Sequence, residues 1–170
     1  MAEPEFSRPV ALARLGSEPF RQEIAASEAE RALLARRFGL VAIDRLSATV
    51  ELARQDHDRI LLQAAFDAEF VQSCVVTLDP VRGAVSERFA LLYGSPEAEA
   101  EAAGIGADDP AFEPIVGDTI DIGEAVAQEF GLVLPPYPRS AEADAETLAS
   151  TTDEVGPFAA LSRLIDRDRR

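Results

Sequence analysis

Apolar side chains recur on every second position from Ile60 to Phe70, where Ile60, Leu62, Ala64, Phe66, Ala68 and Phe70 are separated by residues that include Gln63, Asp67 and Glu69. A period of two places the first set on one face of an extended strand and the second on the other. Antiparallel sheets leave one face to water, whereas parallel sheets are covered on both. The segment over residues 59–80 is therefore predicted to be the spine of an antiparallel sheet. Its alternation falters at Gln72 and resumes at Cys74, Val76 and Leu78, which reads as a bulge or bend within the strand. Upstream, Ala48, Val50 and Leu52 alternate with Thr49 and Glu51, and the polar tetrad 55–58 joins the two runs as a hairpin. Downstream, residues 79–83 turn the chain and Val85, Glu87, Phe89, Leu91 and Tyr93 read as a returning strand.

Two segments carry helical signals instead. Ser27 and Glu30 form an S-x-x-E capping box, Leu34 and Phe38 share a stripe, and Gly39 stands at the left-handed C-cap position, which predicts a helix over 28–38. Asp121 and Glu124 open a second helix, with Ile122, Val126, Phe130 and Val133 on its buried stripe and Pro135 and Pro136 beyond its end. Residues 6–15 contain Pro9, so a strand there belongs at a sheet edge, and residues 20–24 and 115–120 read as short strands. Residues 94–114 are biased toward Ala, Glu, Gly and Pro, too poor in apolar surface to offset their ordering entropy, which predicts a mobile acidic loop. Residues 140–156 are a polar linker. Pro157, Phe158, Leu161 and Ile165 then mark a short amphipathic C-terminal helix that docks either on the domain or on a partner.

These elements predict an α+β domain over residues 1–139, an antiparallel, strongly bent sheet of partly open, barrel-like form with two packed helices, followed by a flexible tail. A chain of 170 residues holds one such domain. No basic leader and no long apolar run is present, so the expected location is the cytoplasm, with no membrane partner.

Charge narrows the function. Sixteen basic residues, all arginine, face thirty-one acids, for a net charge of −15. Residues 1–88 hold eleven arginines against fourteen acids, whereas residues 89–138 hold ten acids and no base. A field of that sign repels phosphate backbones, DNA included, and attracts basic partners. The single cysteine, Cys74, excludes an internal disulfide or a cysteine-pair zinc site and reads as a small core hydrophobe. His57, the one histidine, sits in the hairpin turn between Asp56 and Asp58 and reads as a solvated turn residue. Gly104 and Gly106 lack the spacing of a phosphate loop, and Asp108 and Asp109 have no base or nucleophile beside them. No cofactor, metal or catalytic set is assigned, so a metal-dependent RNA hydrolase is not favoured.

Four landmarks, FSRPV at 6–10, QSCVVTLDPV at 72–81, IDIGEAVAQEFGLVLPPYPR at 120–139 and GPFAALSRL at 156–164, together resemble the bacterial large ribosomal RNA subunit accumulation protein family, the YceD family. That resemblance implies an α+β domain and a role in the synthesis, processing or stability of 23S rRNA, in a family whose gene commonly neighbours that of a small basic large-subunit ribosomal protein. Many relatives carry a C-x-x-C pair where this chain has Cys74 and Thr77, so no metal or redox role of such a pair transfers to it. Two binding readings follow. Glu97, Glu99, Glu101, Asp108 and Asp109 offer an anionic surface to a basic ribosomal protein or a pre-ribosomal particle. Alternatively, Arg31, Arg36, Arg37, Arg45, Arg54, Arg59, Arg82 and Arg88 form a face that contacts rRNA directly, with bases stacked wherever aromatic side chains point outward.

Overall fold

The computed structural model describes residues 4–56, 59–96 and 110–143. His57, Asp58, most of the acidic loop and the segment predicted as a C-terminal helix lie outside them. The chain divides into two compact units, Met1–Gln72 with Arg82–Pro136, and Ser73–Val81 with Tyr137–Arg170.

Among the described residues the strands in chain order are β1 (Pro9–Ala11), β2 (Phe20–Ala25), β3 (Ala42–Arg54), β4 (Arg59–Ser73), β5 (Pro80–Gly94), β6 (Ala111–Pro114) and β7 (Thr119–Asp121), with helices α1 (Glu28–Phe38) and α2 (Ile122–Val133) and a 3-10 turn at Leu12–Arg14. Five strands form one sheet in the order β2-β3-β4-β5-β6, while β1 and β7 make a separate two-stranded ribbon. The predicted α+β class is observed, but the sheet is open, with β2 and β6 as its edges, and does not close as a barrel. β6 pairs with β5 in parallel, a geometry that needs the long connection supplied by residues 95–110. With only four residues in β6, the last of them a proline without an N–H, little of that edge is left to carry the sheet around.

The alternation along β3 and β4 sets their register. Leu52 faces Leu62, Val50 faces Ala64 and Ala48 faces Phe66, and all six are buried. Both helices lie on this inward face. Phe130 of α2 is at its centre, with ring centroids 5.6 Å from Phe70, 5.7 Å from Phe38 of α1 and 6.4 Å from Phe66, each edge to face.

Three sequence expectations are corrected. β4 ends at Ser73, and residues 74–79 form a turn rather than a continuation of the strand. Local bonds there outcompete the ladder, since the backbone N–H groups of Val76 and Thr77 go to Cys74 Sγ and that of Leu78 to the Cys74 carbonyl. The N-terminal segment contributes only three strand residues before its 3-10 turn. The single strand expected at 115–120 is interrupted by Gly117 at φ +84°, so that β7 begins only at Thr119.

Both helices start where their sequences predict, but only α1 forms the reciprocal box, since the Glu124 carboxylate of α2 pairs with Arg37 instead. Ser27 and Glu30 make the reciprocal capping box, and Gly39 closes α1 in the left-handed region at φ +66°. Asp121 caps α2 by accepting the backbone N–H groups of Gly123 and Glu124 at 3.1 Å each. The same carboxylate also accepts the Ser7 hydroxyl and, at 2.7 Å, the Arg8 backbone N–H. Arg8 in turn donates to both oxygens of Glu30, at 2.7 and 3.0 Å, and to the carbonyls of Ser7 and Ala25. Arg37 makes a bidentate pair with Glu124, at 2.7 and 2.9 Å, and reaches Glu5 at 3.0 Å. An N-terminal clasp therefore fastens residues 5–8 to the starts of both helices and to the last turn of α1, with Phe6 fully buried beneath it. Position 123 accepts only glycine there, because a Cβ would stand 2.3 Å from the Phe6 carbonyl oxygen.

Candidate functional site

The eight candidate arginines do not share one face. Arg31 donates to the carbonyls of Ile43 and Ala26, fastening α1 to the sheet, and Arg54 donates to those of Leu12 and Leu15. Arg37 belongs to the clasp. These three guanidiniums are held by internal partners, with their donors aimed at protein oxygens rather than at a ligand. Arg59 pairs with Asp56 and Arg82 with Asp44, while Arg45 lies 3.9 Å from both Asp67 and Glu69. Among the described residues, Arg36 and Arg88 form no side-chain hydrogen bond or ion pair, Arg36 on the last turn of α1 and Arg88 on β5.

The sheet's outward face is built from rows that the register defines. Arg21, Glu51 and Gln63 make one row, Glu23, Thr49 and Ala65 the next, and Ala25, Ser47 and Asp67 the third, the last extended by a 2.7 Å hydrogen bond from the Ser86 hydroxyl to Asp67. Small side chains in the middle leave shallow open depressions along it. No aromatic side chain stands in these rows. Phe66 and Phe70 are buried on the other face, and Phe89 packs against Phe66 at 6.2 Å. The rows thus provide hydrogen-bonding groups of both charges and no base-stacking platform.

The candidate acids Glu97, Glu99, Glu101, Asp108 and Asp109 lie outside the described residues. Of the other acids in the block, Asp121 and Glu124 are taken up by the clasp, while Glu113 and Asp118 are exposed. Glu113 faces Tyr93 across β6 and β5. Burial and then the charge of Glu113 hold the Glu129 carboxyl above its ordinary range. Burial, followed by the charge of Glu113, likewise raises the Tyr93 hydroxyl. Glu113 thus bears on both neighbouring groups through its negative charge.

In the second unit, Cys74 is fully buried, as expected of a small hydrophobe, but its sulfur is an acceptor. The backbone N–H groups of Val76, Thr77 and Ser140 point to Sγ at 3.5, 3.4 and 3.4 Å. The Thr77 hydroxyl leads these contacts in lowering the thiol to about 6, burial opposing them. Around this buried sulfur the turn sends its aliphatic side chains outward, with Val75, Val76 and Leu78 exposed by 50, 51 and 77%. Sequence alternation had placed them in a strand. The polar pair Gln72–Ser73 and the turn dipeptide Asp79–Pro80 were the signals that pointed the other way.

Among the described residues, no helix is long and apolar enough to cross a membrane, and no group of three or more His, Cys, Asp or Glu side chains is arranged to hold a metal ion. A family model described as large ribosomal RNA subunit accumulation protein YceD matches residues 62–164. No curated protein and no solved structure matches the chain.

Proposed function

The chain belongs to the large ribosomal RNA subunit accumulation protein family, and from that premise we propose that it supports the synthesis, processing or stability of 23S rRNA without catalysing a reaction, by holding a basic large-subunit ribosomal protein or a protein-rich face of the assembling particle. The observation that carries this reading is the charge distribution, ten acids and no base over residues 89–138. Such a block gathers cationic chains by long-range attraction and repels bare RNA. Glu97, Glu99, Glu101, Asp108 and Asp109 are its proposed contact residues, acting in the cytoplasm where ribosomes assemble. Two features favour this reading over direct RNA contact: Arg31, Arg37 and Arg54 are held internally, and the sheet rows lack outward aromatics.

The test is recovery of tagged protein from gently lysed growing cells, each eluate divided and one half treated with ribonuclease. Retention of a basic large-subunit protein after ribonuclease, lost when the five acids are neutralised, is the expected result. Recovery only of precursor RNA and RNA-dependent proteins would overturn the reading and move the contact to the arginines.

A further inference from the structure

The turn over residues 74–79 inverts the usual arrangement of a surface turn. Surface turns ordinarily show Gly, Asn, Asp or Ser to water. Here the polar atoms are engaged locally and the aliphatic side chains face solvent. Cys74 N–H donates to the Asp79 carbonyl at 2.8 Å, Leu78 N–H to the Cys74 carbonyl at 3.0 Å, and Val75 N–H to the Pro138 carbonyl at 2.9 Å. Val76 and Thr77 give their N–H groups to the buried sulfur, and Asp79 gives its own to the Thr77 hydroxyl at 3.4 Å. Leu78 adds strain, since it is the one non-glycine at positive φ among the described residues, at +65°. Glycine or asparagine would occupy that conformation at less cost. A leucine held there with 77% of its surface exposed gains nothing for the fold.

We propose that this turn is a preformed apolar knob that seats Val75, Val76 and Leu78 in an apolar depression on the cationic protein held by the acidic block, an inference that rests on the function proposed above. Charge selects the occupant. At a net −15 the chain repels a second copy of itself, an anionic bilayer and a phosphate backbone, and attracts a cationic protein. The acidic block supplies long-range attraction that salt screens. The knob supplies short-range apolar contact that salt does not screen, already fixed in shape so that little ordering remains to oppose docking.

The probe is total protein extracted from purified large ribosomal subunits and treated with ribonuclease, presented to the full-length chain at low and high salt. Leu78→Gly combined with Val76→Thr keeps the left-handed backbone and the turn's N–H donors, and Leu78→Asn serves as an independent variant; thermal unfolding verifies that each is folded. The double variant is expected to bind about tenfold more weakly at both salt concentrations, a loss typical of removing one anchor side chain. Neutralising Glu97, Glu99, Glu101, Asp108 and Asp109 is expected to weaken binding chiefly at low salt. Wild-type binding by the folded turn variants, with binding lost in the acid-neutralised chain, overturns the knob and leaves the acidic reading standing. Failure of the unaltered chain to bind any protein of the mixture overturns both. A turn variant that shifts sedimentation of the free chain would make a second copy the occupant, and faster amide exchange at 74–79 on Leu161→Asp would make it the chain's own C-terminal segment; either result overturns the proposal.

Discussion

The N-terminal clasp and the turn at residues 74–79 are both dense in hydrogen bonds, and they use them in opposite senses. In the clasp, charged and polar groups converge on one another above a buried Phe6, so that Ser7, Arg8, Glu30, Asp121, Arg37 and Glu124 complete each other's bonding. In the turn, the bonds hold a backbone whose side chains Val75, Val76 and Leu78 remain in water. The turn falls within the residues that the family model matches, 62–164, and the FSRPV segment of the clasp lies before them. The difference teaches that dense hydrogen bonding need not serve one purpose: FSRPV is explained by what it fastens, whereas CVVTLD presents apolar surface that the core of the described residues does not take up.

The comparison breaks most severely at Gly123. Adding a methyl there forces α2 and the Phe6–Arg8 backbone apart, and Gly123→Ala is expected to cost about 2–3 kcal/mol in urea unfolding. Asp121→Ala removes a helix cap together with the anchors of Ser7 and Arg8, for a loss of about 2 kcal/mol by the same measurement. Acid titration probes the clasp more gently. Contact with the Arg8 guanidinium, opposed by burial and aided by the Ser27 N–H, lowers the Glu30 carboxyl to about 2. Because the folded value lies below the ordinary 4.5, the stabilisation is complete above that pH and is lost as pH falls toward 2. Partial exposure of the pair limits its size to on the order of 1 kcal/mol. Glu30→Gln is expected to flatten that limb of a plot of melting temperature against pH. The turn responds in the other direction. Leu78→Gly relieves the left-handed strain and, after the extra freedom glycine gives the unfolded chain, is expected to stabilise the protein by about 0.5 kcal/mol. An equal loss of stability on that substitution would mean that Leu78 serves the fold, and the contrast with the clasp would disappear.

Much of the architecture was legible because its causes are local. The alternation from Ile60 to Phe70 specifies an inward face whatever lies opposite, and Ser27, Glu30 and Gly39 specify the ends of α1 by their own backbone chemistry. The end of β4 was ambiguous in the sequence, because Gln72–Ser73 and Asp79–Pro80 signal a turn while Cys74, Val76 and Leu78 also fit a strand. What decides between them is a sulfur accepting N–H groups, one of them from Ser140, sixty-six residues away. Nor did helical position reveal that Arg37 faces Glu124, eighty-seven positions later, or that Arg31 and Arg54 point at carbonyls. An arginine's place on an element says where its stem begins, and only tertiary structure says what its guanidinium meets. The alternation did indicate which residues face outward on the sheet, and their lack of aromatics could have been read from Thr49, Glu51, Gln63, Ala65 and Asp67 once the face was assigned.

On the function proposed here, this chain meets the large subunit through protein rather than RNA. The most direct measurement titrates the full-length chain, side by side and across a range of salt, against ribonuclease-treated total protein of the large subunit and against protein-free large-subunit RNA. The expected result is binding to the protein that weakens as salt rises and is much reduced at low salt on neutralising Glu97, Glu99, Glu101, Asp108 and Asp109, with no comparable binding to the RNA. Tight binding to the RNA, with a salt slope that falls when Arg36 and Arg88 are neutralised, would contradict it.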